Sequence, residues 1–99
     1  MEVRELRYFL AVAREENITR AAESLHIAQP SLSKQLMELE KKLGKKLLIR
    51  GKRKITLTEE GVLLRKRAEE ILELVEKTQQ EISSDTEDVI GDIYMGGGT

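Results

Sequence analysis

The chain has 99 residues, 39% of them hydrophobic, which is enough for one small core plus an extension. It contains no Cys, so a disulfide framework and a thiolate metal site are excluded, and one His cannot form a His cluster. No apolar run approaches the roughly 18 residues of a spanning helix or follows the plan of a signal peptide, which predicts a soluble, cytoplasmic chain with no membrane partner.

In chain order, Leu6, Phe9, Leu10 and Ala13 recur at i, i+3, i+4 and i+7 and predict a first helix with one buried stripe, ending near Asn17. Thr19 offers a capping hydroxyl to a second helix whose Ala21, Ala22 and Leu25 face inward. The two adjacent alanines let the next helix approach closely. Gln29 and Pro30 open that third helix, because proline has no amide to lose in a first turn. Leu32, Leu36, Leu39 and Leu43 fall in a narrow arc at about 100° per residue, opposite Pro30, Lys34, Met37 and Lys41, and Gly44 caps the end. A short helix, a tight connection and an amphipathic second helix form a helix-turn-helix. Its outer face carries Gln29, Ser33 and Lys34 rather than a spread of Glu, which suits a DNA major groove.

Leu47 to Ile49 and Lys54 to Leu57 are short β-prone runs around Arg50-Gly51-Lys52-Arg53, which predicts a hairpin wing with a cationic tip. The formal charge of −1 looks wrong for a nucleic-acid partner, but it is unevenly spread. Met1 to Gly44 holds 7 basic and 7 acidic residues, Lys45 to Thr58 holds 6 and 0, and Glu59 to Thr99 holds 4 and 11. Charges more than roughly 8 Å away are screened at physiological salt, so the acid-free block is the electrostatic footprint that counts.

Thr58 caps a long last helix, with Glu59 and Glu60 at its positive end. Along it Leu64, Ala68, Ile71, Val75, Thr78 and Ile82 are spaced 4, 3, 4, 3 and 4, the period of a coiled-coil seam, which implies a partner helix and a homodimer. The pattern breaks after Ser83-Ser84-Asp85. Ile90 to Met95, followed by three glycines, reads as one short strand with nothing in the chain to pair with. The expected organisation is a mainly α winged helix-turn-helix of three helices and a two-stranded wing over 1–58, a linker and dimerisation helix over 59–84, and a hinge with the first strand of a further domain over 85–99.

On this reading Gln29 is a base or phosphate contact, Pro30 an apolar edge for a thymine methyl, and Lys34 a DNA contact. Ser31 and Ser33 either cap the backbone locally or bond phosphate and base. Arg53 at the wing tip suits a minor groove or a phosphate, with Arg50 and Lys52 as supporting charges. His26 is read as a surface residue at a helix end. Glu69, Glu70, Glu73 and Glu76 read as a solvated face. With no second His, no phosphate-cradling glycine loop and no metal-ligand spacing, the sequence offers no enzyme constellation and no cofactor site. The alternative is a winged-helix module that binds only protein, but Met37 is the one apolar anchor exposed on the third helix, and lysines surround it.

Several segments together resemble the N-terminal part of a LysR-type transcriptional regulator. They are Leu6-Arg7-Tyr8-Phe9-Leu10-Ala11-Val12-Ala13, Ala21-Ala22 with Leu25, Gln29-Pro30-Ser31-Leu32-Ser33-Lys34-Gln35, Leu39-Glu40 with Leu43-Gly44, and Leu57-Thr58 with Gly61. The resemblance covers about residues 1 to 82 and implies that Ile18-Thr19 to Met37 is the DNA-reading unit, with Thr19 among its contacts. It further implies a homodimer through the linker helix, a tetramer in the full-length protein, and a small-molecule-sensing domain of periplasmic-binding-protein type from about Gly91-Asp92-Ile93-Tyr94-Met95. Two departures stand out: Ala28 where many members have Ser, which removes a cap worth roughly 1 kcal/mol, and Leu48 in place of a common Phe.

Overall fold

The computed structural model describes residues 1–84, so the hinge and strand expected over 85–99 lie outside the described residues. The order is α1 (Val3–Glu15), α2 (Ile18–Leu25), α3 (Gln29–Leu43), β1 (Leu48–Arg50), β2 (Ile55–Leu57) and α4 (Glu59–Ser83), a winged helix-turn-helix followed by a long helix.

The core is built from one stripe of each helix and the inward side of the hairpin. Leu6, Phe9 and Val12 of α1 meet Ala21 and Ala22 of α2, Leu32, Leu36 and Leu39 of α3, Leu47, Leu48 and Ile55 of the wing, and Leu64 and Ala68 of α4. The buried stripe of α1 is rotated from the expected one. Val12 and Ala11 are buried, whereas Leu10 and Ala13 are half-buried beside a shallow depression shared with Arg65 and Glu69 of α4. Leu43, expected in the core, is 41% exposed because the last turn of α3 runs past the packed stripe.

The joints are set by caps. Asn17, not Thr19, caps α2: its side-chain oxygen accepts from the Arg20 amide at 2.8 Å, and Thr19 is exposed within the helix. His26 ends α2 in the left-handed region at φ 60°, exposed, and Ile27 N–H closes the turn on the Ala22 carbonyl at 3.0 Å. Ala28 precedes α3 without a side-chain cap, and Gly44 ends it at φ 69°. Thr58 caps α4, its hydroxyl accepting from Gly61 N–H at 3.0 Å while donating to the Lys46 carbonyl at 2.7 Å.

β1 and β2 pair antiparallel, with Leu48 opposite Leu57, Ile49 opposite Thr56 and Arg50 opposite Ile55. Arg50 therefore closes a strand rather than standing in the turn, and Gly51 to Lys54 forms the tip. Two three-residue strands are marginal alone, so the wing depends on ties at both ends of its ladder. Ile55 N–H donates to the Glu16 carbonyl at 2.9 Å, and Thr58 N–H donates to that of Leu47 at 3.1 Å.

Glu5 is buried on α1, where one carboxyl oxygen accepts from Glu2 N–H and the other from Lys42 Nζ of α3, each at 2.9 Å. The Glu2 hydrogen bond and then Lys42 hold its carboxyl below the ordinary value of 4.5, against the opposing effect of burial. A depressed folded value means that this stabilisation is complete above about pH 4.5 and is lost as pH falls through the folded value. Replacing Glu5 with Gln should lower the melting temperature at neutral pH and flatten its fall on acidification. Thermal melts from pH 7 to pH 3 check this, and parallel parent and variant curves would contradict it.

Candidate nucleic-acid interface

The outward face of α3 collects most of the residues singled out from the sequence. At about 100° per residue, Ser33, Met37, Pro30, Lys41 and Lys34 fall within roughly 100° of arc. Pro30, Ser33, Lys34, Met37 and Lys41 line one shallow depression with Glu38, and Met37 is 60% exposed there. Gln29 borders this arc, its amide nitrogen 3.4 Å from the Ser33 hydroxyl, so the two polar groups form one exposed pair. Ser31 is exposed but lies on the far side of the arc from Gln29. The face thus offers amide, hydroxyl and ammonium groups beside an apolar patch, the mixture that reads base edges and thymine methyls.

A second element adds charge. Arg50, Lys52 and Arg53 are exposed on the wing, and among the described residues none of them has a carboxylate within ion-pair distance. Acids do reach the wing's flanks from elsewhere in the chain: Glu16 lies 4.0 Å from Lys54, and Glu40 lies 4.0 Å from Lys46. Both are long and surface-exposed on the lysine side, so they neutralise little of the block.

The evenly spaced residues of α4 fall into two groups. Leu64 and Ala68, expected in a seam, are buried within the monomer's own core, where α4 packs on α1. Ile71 is half-buried against the same core. Beyond it Ile71, Leu74, Val75, Thr78 and Gln79 line an almost wholly apolar groove along the projecting half of the helix. Thr78 donates its hydroxyl to the Leu74 carbonyl at 2.7 Å, which leaves its methyl to the groove. Ile82 is 76% exposed one turn on.

The model of the bacterial regulatory helix-turn-helix proteins of the lysR family matches residues 3–62. The chain belongs to the LysR family. It is 47% identical over 97 residues to the HTH-type transcriptional regulator BsdA of Bacillus subtilis, covering 97% of this chain and 33% of that protein. It is 52% identical over 79 residues to the Hca operon transcriptional activator HcaR of Escherichia coli, covering 80% and 27%. The chain therefore spans a third or less of the length of these relatives. Among solved structures, the complex of the BenM DNA-binding domain with benA site 1 DNA superposes with a TM-score of 0.78 at 45% identity, covering 81% of this chain and 93% of that one. Full-length BenM superposes with a TM-score of 0.79 at 44% identity, covering 83% and 27%.

Within this LysR-type unit, sequence reasoning missed two features. Leu74 falls outside the 4-3-4 spacing yet lines the α4 groove at 63% exposure. Glu40, which a charge-based reading leaves in solvent, is buried where α3 meets the wing. The one local signal for it is the Gly44 stop, after which the reversing chain needs acceptors for its amides.

Proposed function

We propose that this chain is the sequence-specific DNA-binding unit of a transcriptional regulator and reads a two-fold symmetric operator as a homodimer. α3 lies in the major groove, where Gln29, Pro30, Ser33 and Lys34 meet base edges, with Thr19 and Ser31 toward phosphates. Arg50, Lys52 and Arg53 meet the backbone or the adjoining minor groove. The observation that carries this reading is the exposed arc of α3 beside an acid-free cationic wing, in a fold shared at 45% identity with a domain solved on its DNA site.

One recognition helix makes too small an interface for useful specificity, so a dimer is part of the reading. The apolar groove from Ile71 to Gln79, with Ile82 beyond it, is the proposed dimer surface. α4 has 25 residues, roughly 37 Å at 1.5 Å per residue, comparable with the roughly 34 Å turn of B-DNA that separates half-sites. A tetramer of the full-length regulator, a small-molecule-sensing region and a cytoplasmic location complete the proposal. All three rest on family membership.

Selection of bound sequences from a pool of random duplexes tests the reading: it should return one motif with two-fold symmetry, and a pool that stays random would refute it. Gln29→Ala should then relax base preference with little loss of fold, at roughly 1 to 3 kcal/mol for a bidentate base contact. Affinities for the selected and a scrambled duplex check this. Equal losses on both would leave Gln29 only a phosphate contact.

A further inference from the structure

We infer that Glu40 is a positioning residue for DNA binding: its carboxyl group clamps the root of the wing to the end of α3 and so fixes where the wing cations lie relative to the recognition helix. The inference deepens the proposed function and rests on it. Glu40 is 8% exposed, in the last turns of α3. Its Oε2 accepts from Leu47 N–H at 2.8 Å and Leu48 N–H at 3.1 Å. Its main-chain carbonyl accepts from Gly44 N–H at 2.8 Å and Lys45 N–H at 3.2 Å. One residue therefore takes up four of the amides between the end of α3 and the start of β1. Lys46, 4.0 Å from Oε1 and 83% exposed, adds little to this.

The leverage comes from the size of the wing. With Ile55 fixed on the Glu16 carbonyl, loosening the root lets the hairpin turn about Ile55. Lys52 at the tip is three residues or roughly 10 Å from that pivot at 3.3 Å per residue, so a turn of about 10° moves the tip by roughly 2 Å. That displacement separates a guanidinium from a phosphate oxygen it would otherwise meet at hydrogen-bond distance. On the other strand Ile55, opposite Arg50 at the tip end of the ladder, is held by its bond to the Glu16 carbonyl and by burial, and at the root Thr58 N–H meets the Leu47 carbonyl. Among the described residues, the Glu40 carboxyl supplies the side-chain hydrogen bonds between the wing's root and α3 itself.

Two substitutions separate the geometry of this tie from its charge. Glu40→Asp keeps the charge but withdraws the oxygens by one methylene, out of reach of both amides, while Glu40→Gln keeps an oxygen that can accept from both. Affinity for the selected duplex is measured across a salt series for the parent, both variants, Arg53→Ala, and Glu40→Asp combined with Arg53→Ala. Glu40→Gln should stay within about twofold of the parent. Glu40→Asp should bind roughly tenfold more weakly and lose about one unit of log-log salt slope as a wing cation leaves its phosphate. It should keep its Gln29-dependent discrimination. In the Arg53→Ala background the same change should cost less than about threefold, because the wing contact it disturbs is already gone.

An unchanged slope in a folded Glu40→Asp chain, or an equal loss with and without Arg53, overturns the positioning role. If Glu40→Asp proves unfolded by circular dichroism, Glu40→Gln decides: the parent's affinity and slope support the role, and a folded chain with a shallower slope overturns it. A parent with no preference for the selected duplex contradicts the proposed function and this inference with it, whereas a selective parent beside an unaltered Glu40→Asp chain contradicts this inference alone.

Discussion

A chain carrying Val75→Glu should sediment as a monomer at tens of micromolar, where the parent should be a dimer, and should bind its operator at least about 100-fold more weakly. Val75 lines the apolar groove of α4 beyond the point where that helix leaves the core. A carboxylate there would face its counterpart or an apolar wall across the dimer axis, and both are costly when desolvated. Val75 is a cleaner site for the test than Ile71, which also packs against the monomer's own core, so the winged helix should keep its melting temperature in the variant. Loss of half the base and phosphate contacts accounts for the fall in affinity. A variant that remains dimeric, or a parent that is monomeric at the same concentration, would contradict the assignment of the groove.

The second large effect concerns Gly61 and runs against helix propensity. In an exposed helix Gly→Ala stabilises by about 1 kcal/mol. At Gly61 a Cβ would stand 2.2 Å from the Leu47 carbonyl oxygen and 3.1 Å from the Leu57 Cβ. The carbonyl cannot simply yield, because it accepts from Thr58 N–H at 3.1 Å and belongs to the segment that Glu40 holds. Gly61→Ala should therefore destabilise by about 3 kcal/mol or more, a fall in melting temperature on the order of 15 °C for a domain of this size. Thermal denaturation checks both sign and size. A variant as stable as the parent would mean that α4 can slide away from the wing root at little cost.

The legible part of the fold was whatever repeats locally. Leucines at helical spacing, Pro30 in a first turn, Gly44 after the last periodic residue and Thr58 before a pair of acids each carry their consequence within a few residues of chain. Local signals fail where two neighbours are equally suited to one role. Asn17 and Thr19 both cap helices well, and the structure uses the one that starts α2 earlier. They fail again where one spacing serves two ends. The run from Leu64 to Ile82 suits packing on α1 as well as a partner helix, and the structure commits Leu64 and Ala68 to the first. Glu5 was illegible for a different reason, since Lys42 reaches it only with the tertiary fold, and Glu40 had one faint local signal, the Gly44 stop before the Leu47 and Leu48 amides that it holds. The outward face of α3 and the exposed wing cations were legible because the first follows from helix phase and the second from a charge count along the chain.

The most direct measurement is a pair of fluorescence-anisotropy titrations of the parent chain at physiological salt, one on the duplex recovered by selection and one on a scrambled duplex of the same length and composition. Reading by α3 with the wing and a dimeric α4 predicts a preference on the order of 1,000-fold for the selected site, with affinity falling steeply as salt rises. Equal affinity for the two duplexes, or no binding to either, would contradict it.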